Sequence, residues 1–293
     1  MREGALAHRQ RAEQLAATLP PLLVAAERVA AIVAQGVHGR RRVGMGETFW
    51  QYRRYQPGDA ASRIDWRQSA KTLHLFIREN EWEAAESVWL WCDASPSMHY
   101  RSRLAPTPKA ERAALLVLAL AVLLVRGGEH IAFLGENARP ATGGAALNRL
   151  MAEFEHHNDR AESLPPAAVL PRHAQVVLIG DFLSPLDEIE ALIKHYVGSG
   201  VKGHLMQVID PAEETLPFTG RTRFEGPEGE GEILVGRPET LRVDYVARFL
   251  AHREALAGLT RAAGWNFTVH HTDHAAQSAL LALYTAMSVH ARA

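Results

Sequence analysis

From residue 87 onward, short apolar runs alternate with longer segments in which apolar residues recur at spacings of three and four. The runs predict strands at Ser87–Asp93, His130–Leu134, Gln175–Asp181, His204–Ile209 and Asn266–His271. The periodic segments predict helices at Lys109–Arg126, Ala146–Phe154, Leu186–Val197, Leu241–Ala263 and Ala276–Met287, with Gly127-Gly128 and Gly198 as stop signals. Between about 215 and 240 the rhythm breaks at Gly-Pro-Glu-Gly-Glu-Gly, flanked by Arg223-Phe224 and Ile233-Leu234-Val235, which predicts a β-hairpin on the edge of the sheet. Such alternation builds βαβ units, so the expected class is α/β: a doubly wound, mostly parallel sheet flanked by helices.

Two segments precede this region. Residues 1–35 are rich in Ala, Leu, Glu and Arg and predict an N-terminal helical extension, with Pro20 and Pro21 separating two pieces. Its second piece is amphipathic but interrupted by Glu27 and Arg28, so docking on the protein body is expected rather than lying on a membrane. Residues 36–86 turn to Arg, Gly, Tyr, Trp and Asp, with short strand-like runs such as Leu73–Arg78 between turn signals. The expected organisation is therefore an extension over 1–35, an irregular β-containing segment over 36–86, and an α/β domain over 87–293.

Composition narrows the function classes. With 47% apolar residues in 293, the chain can bury one large core. A net charge of −1 gives no electrostatic footprint for nucleic acid. A single cysteine, Cys92, excludes an internal disulfide framework and a thiolate zinc cluster, and its place inside an apolar run reads as a buried structural thiol. The longest apolar stretch, Ala113–Val125, falls short of the ~20 residues a bilayer requires, so no integral membrane segment is expected. The opening residues lack the order of a signal peptide, and the expected location is the cytoplasm.

The strand predicted at 87–93 ends in Asp93, and Ser95 and Ser97 follow at spacings of two and four. In an open α/β sheet this position lies at the carboxyl edge, where ligands bind. One acid and two alcohols aimed at a common point make an all-oxygen site suited to Mg²⁺ or Mn²⁺. A second apolar run, Val176–Gly180, ends in Asp181, which the topology places across the crevice from Asp93. The same residues also suit a purely structural part: carboxylates near helix N-termini stabilise by ~0.3–1 kcal/mol, and serines cap and turn.

At these residues the chain resembles a von Willebrand factor A-type domain with a metal-ion-dependent adhesion site. It is identified more narrowly as a member of the family known as domain of unknown function 58. That resemblance rests on Gly44-Met45-Gly46-Glu47-Thr48-Phe49, Tyr52-Arg53-Arg54-Tyr55, Pro57-Gly58-Asp59, Arg63-Ile64-Asp65-Trp66 and Phe76-Ile77-Arg78-Glu79, and it extends over roughly 36–290. It implies Asp93, Ser95, Ser97 and Asp181 as metal-site residues. The threonine that A-type domains add falls at Ala145, in Gly143-Gly144-Ala145-Ala146, and Thr142 stands three residues earlier. The resemblance further implies a partner that offers an acidic residue, and an adaptor role beside a MoxR-type AAA+ ATPase.

Other features carry less. Arg53, Tyr55, Arg63 and Trp66 can form an interaction surface, or the segment can pack through internal Arg–Asp pairs involving Asp59 and Asp65. Arg40-Arg41-Arg42 reads as a solvated turn. His156-His157 and His270-His271-Thr272-Asp273-His274 have metal-ligand spacings but read as exposed loop histidines. No phosphate-binding Gly-rich loop with Lys-Ser/Thr is present. The leading expectation is a non-enzymatic, metal-assisted interaction module. The alternatives are a metal-free scaffold that binds through residues 44–79, and a phosphatase with Asp93 as nucleophile and Lys109 steadying the phosphoryl group.

Overall fold

The computed structural model describes residues 23–34, 49–54, 66–71, 74–80, 87–135, 138–158, 162–227, 229 and 231–290. The chain divides into two compact units, one formed by 1–40 with 86–293 and the other by 41–85.

In the smaller unit, β1 (Phe49–Arg54) pairs antiparallel with β2 (Phe76–Asn80). A single helical turn, α2 (Trp66–Ser69), lies between them in the chain. The Ser69 hydroxyl accepts the Phe76 amide at 2.9 Å and so fixes where the second strand begins. That strand starts three residues later than the apolar run from Leu73 suggests.

The larger unit opens with α1 (residues 23–34). Ala26, Val29, Ala30 and Val33 are buried at the i, i+3, i+4, i+7 spacing of one helix face, and they join the main core. Glu27 and Arg28 are exposed, which resolves the interruption seen in the sequence. The other residues of the predicted extension, Pro20 and Pro21 among them, lie outside the described residues.

Five parallel strands follow: β3 (Ser87–Cys92), β4 (His130–Phe133), β5 (Gln175–Gly180), β6 (Lys202–Ile209) and β9 (Asn266–His271), in the order β4-β3-β5-β6-β9. All six positions of β3 and of β5 are buried, as central parallel strands covered on both faces require. The connecting helices are α3 (Lys109–Arg126), α4 (Gly143–Asn158), α5 (Leu186–Gly198), α6 (Pro211–Thr215), α7 (Arg242–Ala262) and α8 (Ala276–His290). Helix α3 packs with α4 and α8, while α5 packs with α7. Residues Leu116 to Leu124 of α3 are buried without interruption, the all-round apolar pattern of a central helix. No helix among the described residues is long and apolar enough to cross a membrane.

Close packing at the sheet has one sharp demand. A Cβ on Gly203 of β6 would lie 1.9 Å from the Trp265 ring, so only glycine admits that indole.

Two expectations are corrected. The hairpin exists as β7 (Thr222–Gly226) and β8 (Gly231–Val235), but it forms its own two-stranded sheet rather than extending the main one. The edge beside β6 is taken by β9, paired from His204–Asn266 to Ile209–His271. The histidine runs are exposed only in part: His156 and His274 are exposed, but His157 and His270 are buried. His157 is buried in the last turn of α4, where its Nε2 lies 2.6 Å from the Cys92 carbonyl and its ring packs against Trp91 and Phe133. His270 and His271 belong to β9, and burial lowers the imidazolium pKa of His270 to about 4, with Arg112 adding to the effect.

Candidate functional site

The strand order reverses between β3 and β5: the chain leaves β3 for β4 on one side and returns to β5 on the other. This switch point opens a crevice at the carboxyl ends of the two strands. Asp93 directly follows β3, and its amide donates to the Ile179 carbonyl at 2.8 Å. Asp181 directly follows β5. Gly180, the last residue of β5, is obligatory, because a Cβ there would stand 2.7 Å from the Asp93 Cβ and 2.9 Å from its Oδ2.

The four expected residues converge. Asp93 Oδ1 accepts the Ser95 amide at 2.8 Å. A 3-10 turn over Pro96–His99, begun by a proline suited to the first helical position, carries Ser97 back over the crevice. The Ser95 and Ser97 hydroxyls lie 3.0 Å apart, and Ser97 donates to Asp181 Oδ2 at 2.6 Å. Since the single Ser97 hydroxyl proton goes to Asp181, Ser95 is the donor within the serine pair. Asp181 Oδ1 accepts the Leu183 amide at 3.2 Å, and its carbonyl accepts from Gln207 Nε2 at 2.9 Å. Asp93, Ser95 and Asp181 are buried, while Ser97 is half-buried. Asp93 Oδ2 has no hydrogen-bond partner among the described residues.

A fifth and a sixth residue complete the cluster. Lys109, the first residue of α3, is 0% exposed. Its Nζ donates to Asp181 Oδ2 at 2.8 Å and to Glu213 Oε1 at 2.6 Å. Glu213 belongs to α6, whose capping box is formed with Asp210: the Ala212 amide donates to Asp210 Oδ1, and the Asp210 amide donates to Glu213 Oε2, each at 2.8 Å. The next residue, Glu214, pairs with Arg253 of α7 and His271 of β9. Lys109 therefore serves as an internal counter-ion shared by Asp181 and Glu213. Sequence reasoning placed Lys109 near the site without this part and missed Glu213. The signal was present: Ile209-Asp210-Pro211 repeats the apolar-run-then-aspartate pattern, with Glu213 at the capping-box spacing.

The charges respond in opposite directions. Burial raises the Asp93 carboxyl well above the usual range, and the neighbouring Asp181 charge raises it further. Burial would also raise Asp181, but the Lys109 ammonium, Ser97 and the Leu183 amide together hold it below its ordinary value. Burial raises Glu213 despite Lys109. For Lys109, burial alone would favour the neutral amine, yet the two carboxylates keep it charged to unusually high pH.

Among the described residues no group of three or more His, Cys, Asp and Glu suits a metal ion, so a cation here would rely on mixed carboxylate and hydroxyl donors. Ala145 and Thr142 are both exposed around the start of α4. Of the segment residues singled out earlier, Trp66 is 65% exposed in α2. Arg53 sits in β1 opposite Ile77, and Tyr55, Arg63, Asp59 and Asp65 lie outside the described residues.

Comparison with known proteins agrees with the ordered motifs before β3. The chain is 25% identical over 272 residues to the uncharacterized protein Rv1480 of Mycobacterium tuberculosis H37Rv, covering 86% of this chain and 83% of that one. It matches the uncharacterized protein Mb1516 of Mycobacterium bovis to the same extent. Among solved structures, the conserved hypothetical protein BatB from Bacteroides thetaiotaomicron aligns with a TM-score of 0.38 and 15% identity, covering 69% of this chain and 98% of that one. The family model described as "Protein of unknown function DUF58" matches residues 51–255, and the chain belongs to that family.

Proposed function

We propose that this protein is a non-enzymatic protein-interaction module of the von Willebrand factor A type, whose docking is assisted by a divalent cation. The observation that carries the proposal is the buried Asp93 Oδ2, left without a partner beside the Ser95–Ser97–Asp181 chain at the sheet's switch point. An unpaired buried carboxylate oxygen is costly, and a cation is the group that offsets both its burial and the Asp181 repulsion. The donors fit: carboxylate and hydroxyl oxygens suit Mg²⁺ or Mn²⁺, and a site with few protein ligands suits an ion that retains water. Asp93, Ser95 and Ser97 would hold the ion, with Asp181 bound to Ser97 and Lys109. Once bound, the cation supplies a Lewis-acidic position for a carboxylate of the partner.

Lys109 also bears on the enzymatic alternative. Its ammonium is held by Asp181 and Glu213, which supports docking over a lysine-steadied phosphoryl transfer at Asp93. The family resemblance points to a MoxR-type AAA+ ATPase as partner and to an adaptor role in the cytoplasm. The test is surface-plasmon binding of the MoxR-type ATPase from the same genome to the wild type, Asp93→Ala and Ser97→Ala, with and without chelator. Binding lost in both variants and in chelator supports the proposal. Equal binding by all three proteins sinks it.

A further inference from the structure

The β7–β8 hairpin is an unfinished sheet. Its ladder runs without a slip from Thr222–Val235 to Gly226–Gly231. Residues opposite each other share a face, so Phe224 and its partner Ile233 lie on one side with Thr222 and Val235, while Arg223 and Glu225 lie on the other. Apolar groups are left open: Ile233 is 63% exposed and Leu234, opposite Arg223, is 51% exposed. The Phe218 ring meets Phe224 edge-on at 5.4 Å, but no third strand joins the hairpin among the described residues. Two strands alone are marginal in water, and a third strand or a covered apolar face is what makes such a sheet stable. The base of the hairpin is nonetheless braced. Arg242 of α7 donates from Nε to the Leu216 carbonyl at 2.9 Å and from Nη2 to the Phe218 carbonyl at 3.2 Å, and Glu239 accepts the Gly220 amide at 3.1 Å.

The β7 edge lacks the devices that stop strands from pairing. Native edges are blunted by lysine, proline or a bulge, and Thr222–Gly226 has none of them. Its two charges, both exposed, flank Phe224 with opposite signs. That makes the strand complementary to itself. In an antiparallel pair with a second β7, centred on Phe224, each Arg223 stands opposite Glu225 of the other copy, and the two Phe224 rings stand opposite each other. Moving the centre to Arg223 or to Glu225 sets like charges opposite, which is destabilising. A one-residue slip puts the apolar face of one hairpin beside the charged face of the other. The β8 edge has no such match: centred on Ile233, it sets Glu232 against Leu234 twice. Glu225 has no ion-pair partner among the described residues, and Arg223 reaches Glu232 at 3.5 Å in an exposed pair.

We propose that a second copy of this chain pairs with β7, antiparallel about Phe224, so that two hairpins join into one four-stranded sheet. The contact is two-fold symmetric and closes at a dimer. The charge pairs set the register, and the joined apolar face of Phe224 and Ile233 from both copies supplies the burial that a single hairpin lacks. Pairing does not involve the cation site, and it places two strand-end sites on one particle.

Sedimentation equilibrium of the full chain tests this. The wild type should behave as a dimer in reversible exchange with monomer over the micromolar range. Arg223→Glu sets acid against Glu225 at both ends of the pair, and Glu225→Arg sets arginine against Arg223. Each should raise the dimer dissociation constant by about tenfold or more. Each should also melt as the wild type does, since the exposed Arg223–Glu232 pair contributes little to stability. The double variant Arg223→Glu/Glu225→Arg restores both charge pairs and should return the wild-type dissociation constant. An equimolar mixture of the two single variants should do the same, because the acidic strand of one meets the basic strand of the other. A wild type that stays monomeric over the micromolar range overturns the proposal, as does a dimer that neither single variant weakens. A dimer weakened in both, and restored neither by the double variant nor by mixing, overturns it as well, because damage to the hairpin then explains the loss.

Discussion

Replacing Lys109 with methionine removes the ammonium but keeps most of the buried stem. In the wild type that ammonium lies 2.8 Å from Asp181 and 2.6 Å from Glu213, whose side chains are only 4% and 15% exposed. Breaking a buried pair by deleting one partner costs ~3–5 kcal/mol, because the remaining charge is left in a poor dielectric; an exposed pair would cost ~0–1 kcal/mol. At ~2–4 °C per kcal/mol for a domain of this size, Lys109→Met should melt about 6–20 °C below the wild type at pH 7. The sign of the pH dependence follows from the same charges. Asp181 is held below its ordinary value by Lys109, so its contribution is present above the unfolded carboxylate range and is lost as pH falls through the folded value. In the variant both acids lose their counter-ion and are raised by burial, so the variant recovers stability on acidification. The melting gap should therefore narrow between pH 7 and about pH 4. Adding Glu213→Gln should restore part of the loss, since one of the two stranded charges is gone. A single variant that melts within ~1 kcal/mol of the wild type at pH 7 would refute the reasoning.

Three further outcomes are expected. Asp93 is raised by burial and by Asp181, so it adds stability at low pH that is lost as pH rises through its folded value; in chelator, wild type should gain on Asp93→Asn as pH is lowered from 7.5 to 5, and parallel melting curves would contradict this. Gly203→Ala forces a methyl to 1.9 Å from the Trp265 ring and should destabilise by about 3 kcal/mol or more in urea titrations, with an unchanged midpoint as the adverse result. Trp66→Ala removes a side chain that is 65% exposed and should leave stability within ~0.5 kcal/mol and ATPase binding intact; loss of binding in this variant but not in Asp93→Ala would favour docking through the 44–79 segment.

The sheet was legible because its central strands are continuous apolar runs and the terminators are glycines at element ends. Pairing of β3 with β5, and so the meeting of Asp93 and Asp181, followed from topology alone. What stayed hidden was long-range. A lysine at a helix start reads as a solvated N-terminal residue, and nothing local in Pro108-Lys109-Ala110 announces complete burial against carboxylates 72 and 104 residues away. The His157 packing is equally non-local, since an i, i+1 histidine pair at a helix end gives no sign that one ring lies between Trp91 and Phe133. The hairpin's turn residues marked its existence but carried no information about which sheet it would join.

The central claim is that Asp93 and the serine pair hold a divalent cation, and calorimetric titration of Mn²⁺ and Mg²⁺ into the wild type and Asp93→Ala tests it most directly. The account predicts saturable binding in the wild type that is absent from the variant, with ~2.7 kcal/mol of added stability at a hundred times the dissociation constant. No binding heat and no stabilisation of the wild type at millimolar metal would contradict it.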